Sequence, residues 1–465
     1  MPKHENRDIV ILALKTHNPL ILLSDGSWSG RARETGSNVY QLANMIWGGA
    51  ALPKDDEFAH LHPSGKAHYV NSVPVSTTFM DRIANSLNIQ DIEHHCVDAY
   101  EYIVHGYTPR EKEIWMFGLS KGAYIVRSVA GMINNCGIVK SAYQSNGDVD
   151  DEKTHQLCQE VYRICRCPSQ PNAPKSEKSR DFRRKHSWAL IGDGDVVDPP
   201  IRFMGIFDTV GNGGIPEFAG SLSIDWPKLH DQHVSSVVSE VYHAVSLHER
   251  LYAFQPCLIS RDTEYGPSYG ITERWFPGTH YDIGRQHFKI SRGVLPQTLE
   301  NVLPDWAWTS KAVKPNEVLA DLVFKWMLEC VDTHDPSGFV IPKGDIYREL
   351  DRLKSSILRG QNIGDGDIYN HILQFVPFGR YLDMTLSMVF GKWQDTQLHQ
   401  LLFACRPRSI PEFNASVYNY RGPDPDLDGN IIQKLANLQS SSMPTEKQAD
   451  TRYPSTLYDG WLLRR

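Results

Sequence analysis

"EIWMFGLSKGAYIVRSVAGMI", residues 113–133, decides the architecture. Ile114 to Phe117 form a short apolar run that ends in a glycine-flanked turn, the reading of a buried strand. After the turn, Ala123, Val126, Val129, Ala130 and Ile133 recur at helical spacing, and Gly137 is placed to end that helix. A strand, a tight turn and a helix are what a nucleophile elbow requires. Gly118 and Gly122 leave room for the turn to close around Ser120, whose hydroxyl is lifted off the sheet toward a helix N-terminus.

The chain has a second Gly-x-Ser-x-Gly, "GPSYG", with Gly266, Ser268 and Gly270. Polar "RDTEY" precedes it, Pro267 adjoins the serine, and "ITERWF" after it reads as a strand, so Ser268 is expected in a loop. Two blander readings of Ser120 are a turn serine and a phosphate-cradling loop, the latter because Lys121 follows. The phosphate loop needs Gly-x-x-x-x-Gly-Lys-Ser/Thr, and that pattern is absent here.

Three further apolar runs end in polar or glycine-rich turns: Leu20–Leu23 before Asp25-Gly26, Phe203–Phe207 before Asp208, and Trp275-Phe276 before Gly278 and His280. Helical patterns lie between them, at Asn38–Trp47, Met80–His105, Ala123–Cys136 and Val237–Phe254. Strands alternating with helices imply an α/β fold, a mostly parallel sheet with helices on both faces. In such sheets function gathers at the carboxyl ends of the strands. Ser120, Asp208 and His280 would meet there, in the chain order Ser, Asp, His of a hydrolase triad.

The bulk numbers set limits. The chain has 465 residues, a net charge of −7 and 41% hydrophobic residues, which supports a sizeable core and argues against a nucleic-acid partner. The eight cysteines are scattered, and Cys165 and Cys167 have no second pair at zinc spacing, so neither metal nor cofactor is expected. Only six apolar residues run together before Lys15, too few for a signal peptide, and no stretch approaches a membrane span. A cytoplasmic protein is expected, and "NAS" at Asn414 is read as a chance match to a glycosylation acceptor. Residues 145–200 form a charged insertion, with a helix near His155–Cys165 and then a surface loop whose basic part could touch anionic lipid. The catalytic unit is expected over 1–345, with a helical extension over 346–465 whose last residues, from about Ser440, are disordered.

With these stretches together, the chain resembles the α/β-hydrolase catalytic domain typified by type VI secretion phospholipase effectors. The resemblance rests on ordered blocks over roughly residues 18–330: "LSDGSW" with "SNVYQL", "MFGLSKGAYIVRSVAGMI", "FMGIFDTVGNGGIP", "YHAVSLHERLYAFQP", "RWFPGTHYDIG" and the closing helix "VLADLVFKWML". It implies a triad of Ser120, Asp208 and His280, the same three residues that end the strands. Two features depart from the family pattern: Lys121 stands where Arg is usual, and Arg285 and Gln286 replace a glycine-rich turn after the histidine.

Each role has a chemical requirement. A serine hydroxyl needs a base, His280, that takes its proton and returns it to the leaving group. Asp208 would hold the imidazole tautomer, and Asp282 is the rival acid, two residues from His280 and on the same side of an extended chain. Asp282 could instead cap a helix. The oxyanion hole would take one backbone N–H from Lys121 and one from Gly26 or Ser27, with Asp25 bracing that loop. His243 and His248, on the helix expected at 237–254, would be packing or surface groups. The expected activity is serine hydrolysis of a carboxylic ester, with a lipid as substrate and peripheral contact with a membrane surface. Alternatives are a thioesterase or small-ester esterase, or a non-catalytic interaction protein of the same fold.

Overall fold

The computed structural model describes residues 18–26, 36–48, 59–70, 89–109, 111–166, 176–189, 199–210, 237–249, 254, 256–259, 270–286, 288–291, 310–359 and 415–417. The chain begins with β1 (Asn18–Ser24), α1 (Asn38–Trp47), β2 (Ala59–Leu61), β3 (Ala67–Val70), α2 (Ile89–Gly106), β4 (Lys112–Leu119) and α3 (Lys121–Cys136). It continues through α4 (Asp151–Arg166), α5 (Glu177–His186), β5 (Ile201–Phe207), β6 (Val238–Ser246), β7 (Gly270–Phe276) and α6 (His280–Gly284). The hairpin β8 (Phe288–Ser291) and β9 (Ser310–Val313), α7 (Glu317–His334), α8 (Lys343–Arg359) and β10 (Ala415–Val417) follow.

Eight strands form one sheet in the order β10-β7-β6-β5-β4-β1-β3-β2. Every pairing is parallel except that of β2 with β3. Helices cover both faces, as a parallel sheet requires. On one face α2, α3 and α4 bury Ile103, Tyr100, Val126, Val129 and Val161 against Met116, Ile206 and Val241. On the other, α1, α7 and α8 bury Leu42, Phe324, Met327 and Leu353 against Phe117, Phe203 and Phe207. Helix α8 starts before residue 345 and runs on to Arg359, with Ile346, Leu350 and Leu353 inside that second core.

The chain leaves β1 toward β3 on one side and returns to β4 on the other, so β1 and β4 are neighbours across a reversal of strand order. The carboxyl ends at such a switch point form the crevice where parallel sheets bind ligands. Both Gly26 and Ser120 lie there, Gly26 two residues past the end of β1 and Ser120 directly after β4.

Two sequence expectations differ from this fold. Val238–Ser246 is a strand between β5 and β7, not part of a helix over 237–254. The apolar spacing of Val237, Val241, Ala244 and Val245 suits a helix, but these residues are buried on both faces of a central strand, where β-branched side chains pack well. The segment after α4 holds a second helix, α5, where a loop was expected. Ser176 caps it by accepting the Ser179 N–H, Glu177 lies in the first turn, and Arg183, Arg184, Lys185 and His186 lie in the last. Acid at the start and base at the end both complement the helix dipole. The expected disordered tail, Cys167, Ser268 and Asn414 lie outside the described residues.

Candidate active site

Ser120 ends β4 in a strained turn, with φ 56° and ψ −118°, before Lys121 opens α3. A non-glycine residue held there costs about 1–3 kcal/mol and persists only where its surroundings dictate it. The flanking glycines show how tight the turn is. A Cβ on Gly118 would lie 2.6 Å from the Ala123 Cα, and one on Gly122 would strike the Ser24 carbonyl and come within 2.6 Å of the Asp25 carbonyl. Glycine at both positions lets α3 start directly against the end of β1.

His280 is the first residue of α6, and three strand ends bring the site together. Its Nδ1–H donates to Asp208 Oδ2 at 2.7 Å, and its Nε2 accepts from the Ser120 hydroxyl at 2.9 Å. Since an ionised carboxylate only accepts, the ring proton sits on Nδ1 and leaves Nε2 as the acceptor facing serine. All three side chains are buried, Ser120 at 4%, His280 at 1% and Asp208 at 0% exposure, so this polar chain works at low local dielectric. Asp208 also accepts the Ser246 N–H and hydroxyl, each at 2.9 Å, so the buried charge has at least three donors. Phe254 stacks on the imidazole, with ring centroids 4.9 Å apart and planes within 8°.

Asp282 faces elsewhere. The extended chain expected after His280 is instead the helix α6, with Thr279 as its N-cap and Asp282 as the acid of a capping box. The Asp282 carboxylate accepts the Thr279 N–H at 2.7 Å, the Thr279 hydroxyl at 3.0 Å and the Asn316 N–H at 2.7 Å. It braces the turn that presents His280.

Around the nucleophile, Lys121 is the first residue of α3, so its backbone N–H has no carbonyl within the helix to bond. The Gly26 N–H is engaged by Asp25 Oδ1 at 2.8 Å. Asp25 Oδ2 accepts the Ser37 hydroxyl at 2.5 Å and the Tyr69 hydroxyl at 2.6 Å, so this carboxylate braces the loop after β1. Ser27 lies outside the described residues. Of the two residues that depart from the family turn, Arg285 points away from the serine. It pairs with Asp321 and donates to Asn38 Oδ1 at 3.0 Å, tying α6 to α1 and α7. Gln286 is buried beside Gly26, and its Oε1 has no hydrogen-bond partner among the described residues.

Several neighbours were not foreseen. Glu249 is buried and accepts the His280 N–H at 3.1 Å, while His248 Nδ1 accepts the Gly278 N–H at 2.8 Å. Ser246, His248, Glu249 and Phe254 all lie in the block "YHAVSLHERLYAFQP" and were hidden by its helical reading. The basic helix α5 is remote from the site. Arg183 donates to the Asn134 carbonyl and Ser187 to the Cys136 carbonyl, at the far end of α3. The 16 residues of α3 set that end about 24 Å from Ser120 at 1.5 Å per residue. Among the described residues, no helix is long and apolar enough to cross a membrane.

Comparison with known proteins adds the family. The chain is similar to a Saccharomyces cerevisiae protein, the uncharacterized YEL023C, at 25% identity over 248 residues; the match covers 51% of this chain and 32% of that relative, about a third of its length. Two solved structures also align. One is an uncharacterized protein from Pseudomonas aeruginosa, at 16% identity and a TM-score of 0.32, covering 88% of this chain and 58% of the other. The second is the Tle1 effector bound to the VgrG spike of the type VI secretion system, at 12% identity and a TM-score of 0.30, covering 74% and 80%. The family model for the catalytic domain of the Tle1-like phospholipase effectors of type VI secretion matches residues 18–330, and the chain belongs to that family.

Proposed function

We propose that this chain is a serine hydrolase that cleaves a carboxylic ester of a lipid through an acyl-enzyme. The observation that carries the proposal is the buried relay from Ser120 Oγ to His280 Nε2, and from Nδ1 to Asp208. Ser120 Oγ attacks the ester carbonyl as its proton passes to Nε2. The carbonyl oxygen becomes an oxyanion, which the Lys121 N–H meets at the helix N-terminus. The loop after β1 supplies the second donor, from Gly26 or Ser27. The tetrahedral species collapses, the ester C–O bond breaks, and His280 returns the proton to the departing alkoxide. A water then repeats the cycle: His280 takes its proton, the hydroxyl oxygen attacks the acyl carbon, and Ser120 leaves with the proton restored. Asp208 keeps the imidazole in the required tautomer and stabilises its protonated form. Membership in a phospholipase-effector family supports the lipid as substrate class.

The test is labelling by a fluorophosphonate, which reacts with activated serines, together with hydrolysis of phospholipid vesicles read by mass spectrometry. The wild type should label and release fatty acid. Ser120→Ala should not label, and its turnover should fall by roughly four to six orders of magnitude. A wild type that neither labels nor hydrolyses any ester would make the chain a non-catalytic member of the fold. Labelling with turnover only of thioesters or short esters would move the substrate class.

A further inference from the structure

The core beside the triad holds a second histidine–carboxylate pair that the reaction does not use. His243 of β6 and Glu273 of β7 stand directly opposite in the parallel register and point to the same face. Both are buried, at 0% and 3% exposure. The His243 Nδ1–H donates to Glu273 Oε2 at 3.0 Å, and the same oxygen accepts the Ile259 N–H at 3.2 Å. The other ring nitrogen, Nε2, accepts the Thr209 backbone N–H at 3.2 Å. An N–H donor on one side and a carboxylate on the other dictate a single tautomer, with the proton on Nδ1.

Thr209 follows Asp208, so His243 holds the peptide group on the carboxyl side of the acid that faces His280. Asp208 sits at φ 41°, in the left-handed region that a residue other than glycine seldom occupies. Such a conformation lasts only where its neighbours over-determine it. On the amino side the Asp208 N–H donates to the Ala244 carbonyl at 2.7 Å. On the carboxyl side the Thr209 N–H is held by His243, and the Thr209 carbonyl accepts the Cys257 N–H at 2.8 Å. Rotation about the Asp208 N–Cα bond toward a relaxed φ would carry the side chain and the Thr209 peptide together, and so swing the carboxylate away from His280 Nδ1. A histidine is also a costly group to bury on a strand face unless both its nitrogens are used.

We propose that His243, oriented by Glu273, is a positioning residue for Asp208: it fixes the peptide after the acid and so sets the carboxylate against the His280 ring. The proposal rests on the Ser120–His280–Asp208 reading above. It predicts a split between two amides that each copy one nitrogen of the ring. Glutamine carries its polar end at the place of Nε2, so His243→Gln keeps an acceptor for the Thr209 N–H. Asparagine reaches only the place of Nδ1, so His243→Asn keeps the Glu273 contact and loses Thr209.

The experiment measures kcat and KM on phospholipid vesicles for the full chain, with active sites counted by fluorophosphonate labelling. Wild type and Ser120→Ala come first: if both are inactive the triad reading fails, independently of His243. With the wild type active, His243→Asn and His243→Leu should lower kcat by about 10- to 100-fold with KM little changed, the scale of a misplaced catalytic group. His243→Gln should stay within about tenfold of wild type. In an Asp208→Asn background, His243→Asn should add less than about threefold, because the two residues act as one unit. Equal losses for Gln and Asn, or losses that multiply with Asp208→Asn, would make the pair ordinary core packing and overturn the proposal. So would wild-type kcat in His243→Asn. If His243→Leu does not fold, the two amides and the double variant still decide.

Discussion

Replacing an aspartate with asparagine keeps its shape and removes the charge, and Asp208 and Asp282 answer that change differently. Asp208 accepts the His280 Nδ1–H, so Asp208→Asn turns an amide toward the ring and favours the wrong tautomer. A loss of about 10⁴ in turnover is expected, with the fold retained. Asp282 accepts the Thr279 and Asn316 N–H groups. Its replacement should lower stability by about 1–2 kcal/mol, the scale of a lost helix cap, and turnover by less than about a hundredfold. Steady-state kinetics beside urea unfolding checks both, and the opposite ranking would move the acid role to Asp282.

Among the elements, α5 offers the cleanest separation of stability from activity. Only Ser179 of its residues is buried, Phe182 packs partly buried against the core, and the Ser176 side chain caps the first turn. Ser176→Ala should cost about 1 kcal/mol locally. Faster amide hydrogen exchange over residues 177–186 with unchanged ester turnover is the expected result, since α5 docks on the far end of α3 from Ser120. Lost turnover in that variant would show that α5 communicates with the nucleophile turn. The strand β6 has the opposite character. It supplies Ser246 to the acid and His243 to the peptide after it, so substitutions in this strand reach the site as well as the sheet.

At the scale of the molecule, a buried histidine, His95, and a half-buried one, His68, make the fold sensitive to acid. Burial, followed by the charge of His60, lowers the His68 pKa to about 4. Burial first, then the charges of Lys121 and His94, lowers that of His95 to about 3. Both rings are neutral in the folded chain, whereas in the unfolded chain they titrate near 6.5. The stability they permit is therefore complete above about pH 6.5 and is lost as pH falls toward 4 and 3, because the unfolded chain takes up protons that the fold refuses. Between pH 7 and pH 5 each histidine should cost about 2 kcal/mol. Urea titrations at the two pH values measure the slope, and His68→Phe, whose ring can keep the stack on Tyr102, should flatten it. An unchanged slope in that variant would remove His68 from the account.

The stretch 113–133 was legible because it is local: a short apolar run, a turn that admits only glycine, and a helical stripe occupy consecutive residues. The alternation of strands and helices, and hence the α/β class, followed from the same kind of signal, and the ordered blocks added the family. Tertiary structure decided the rest, where the cause lies far along the chain. Val238–Ser246 has apolar spacing that suits a helix, and only β5 and β7 on either side of it make it a strand. Apolar periodicity reports which residues are buried, not how many faces bury them. The charges of 177–186 mask a helix that Ser176 caps and Phe182 packs against the core. Asp282 could be set beside His280 only on an extended chain, and α6 turns it toward Thr279 and Asn316. That Asp25 Oδ1 accepts the Gly26 N–H is likewise invisible in the sequence. Which hydrogen-bond donor meets which acceptor is a property of three-dimensional neighbours, and in a sheet those neighbours come from strands tens of residues apart.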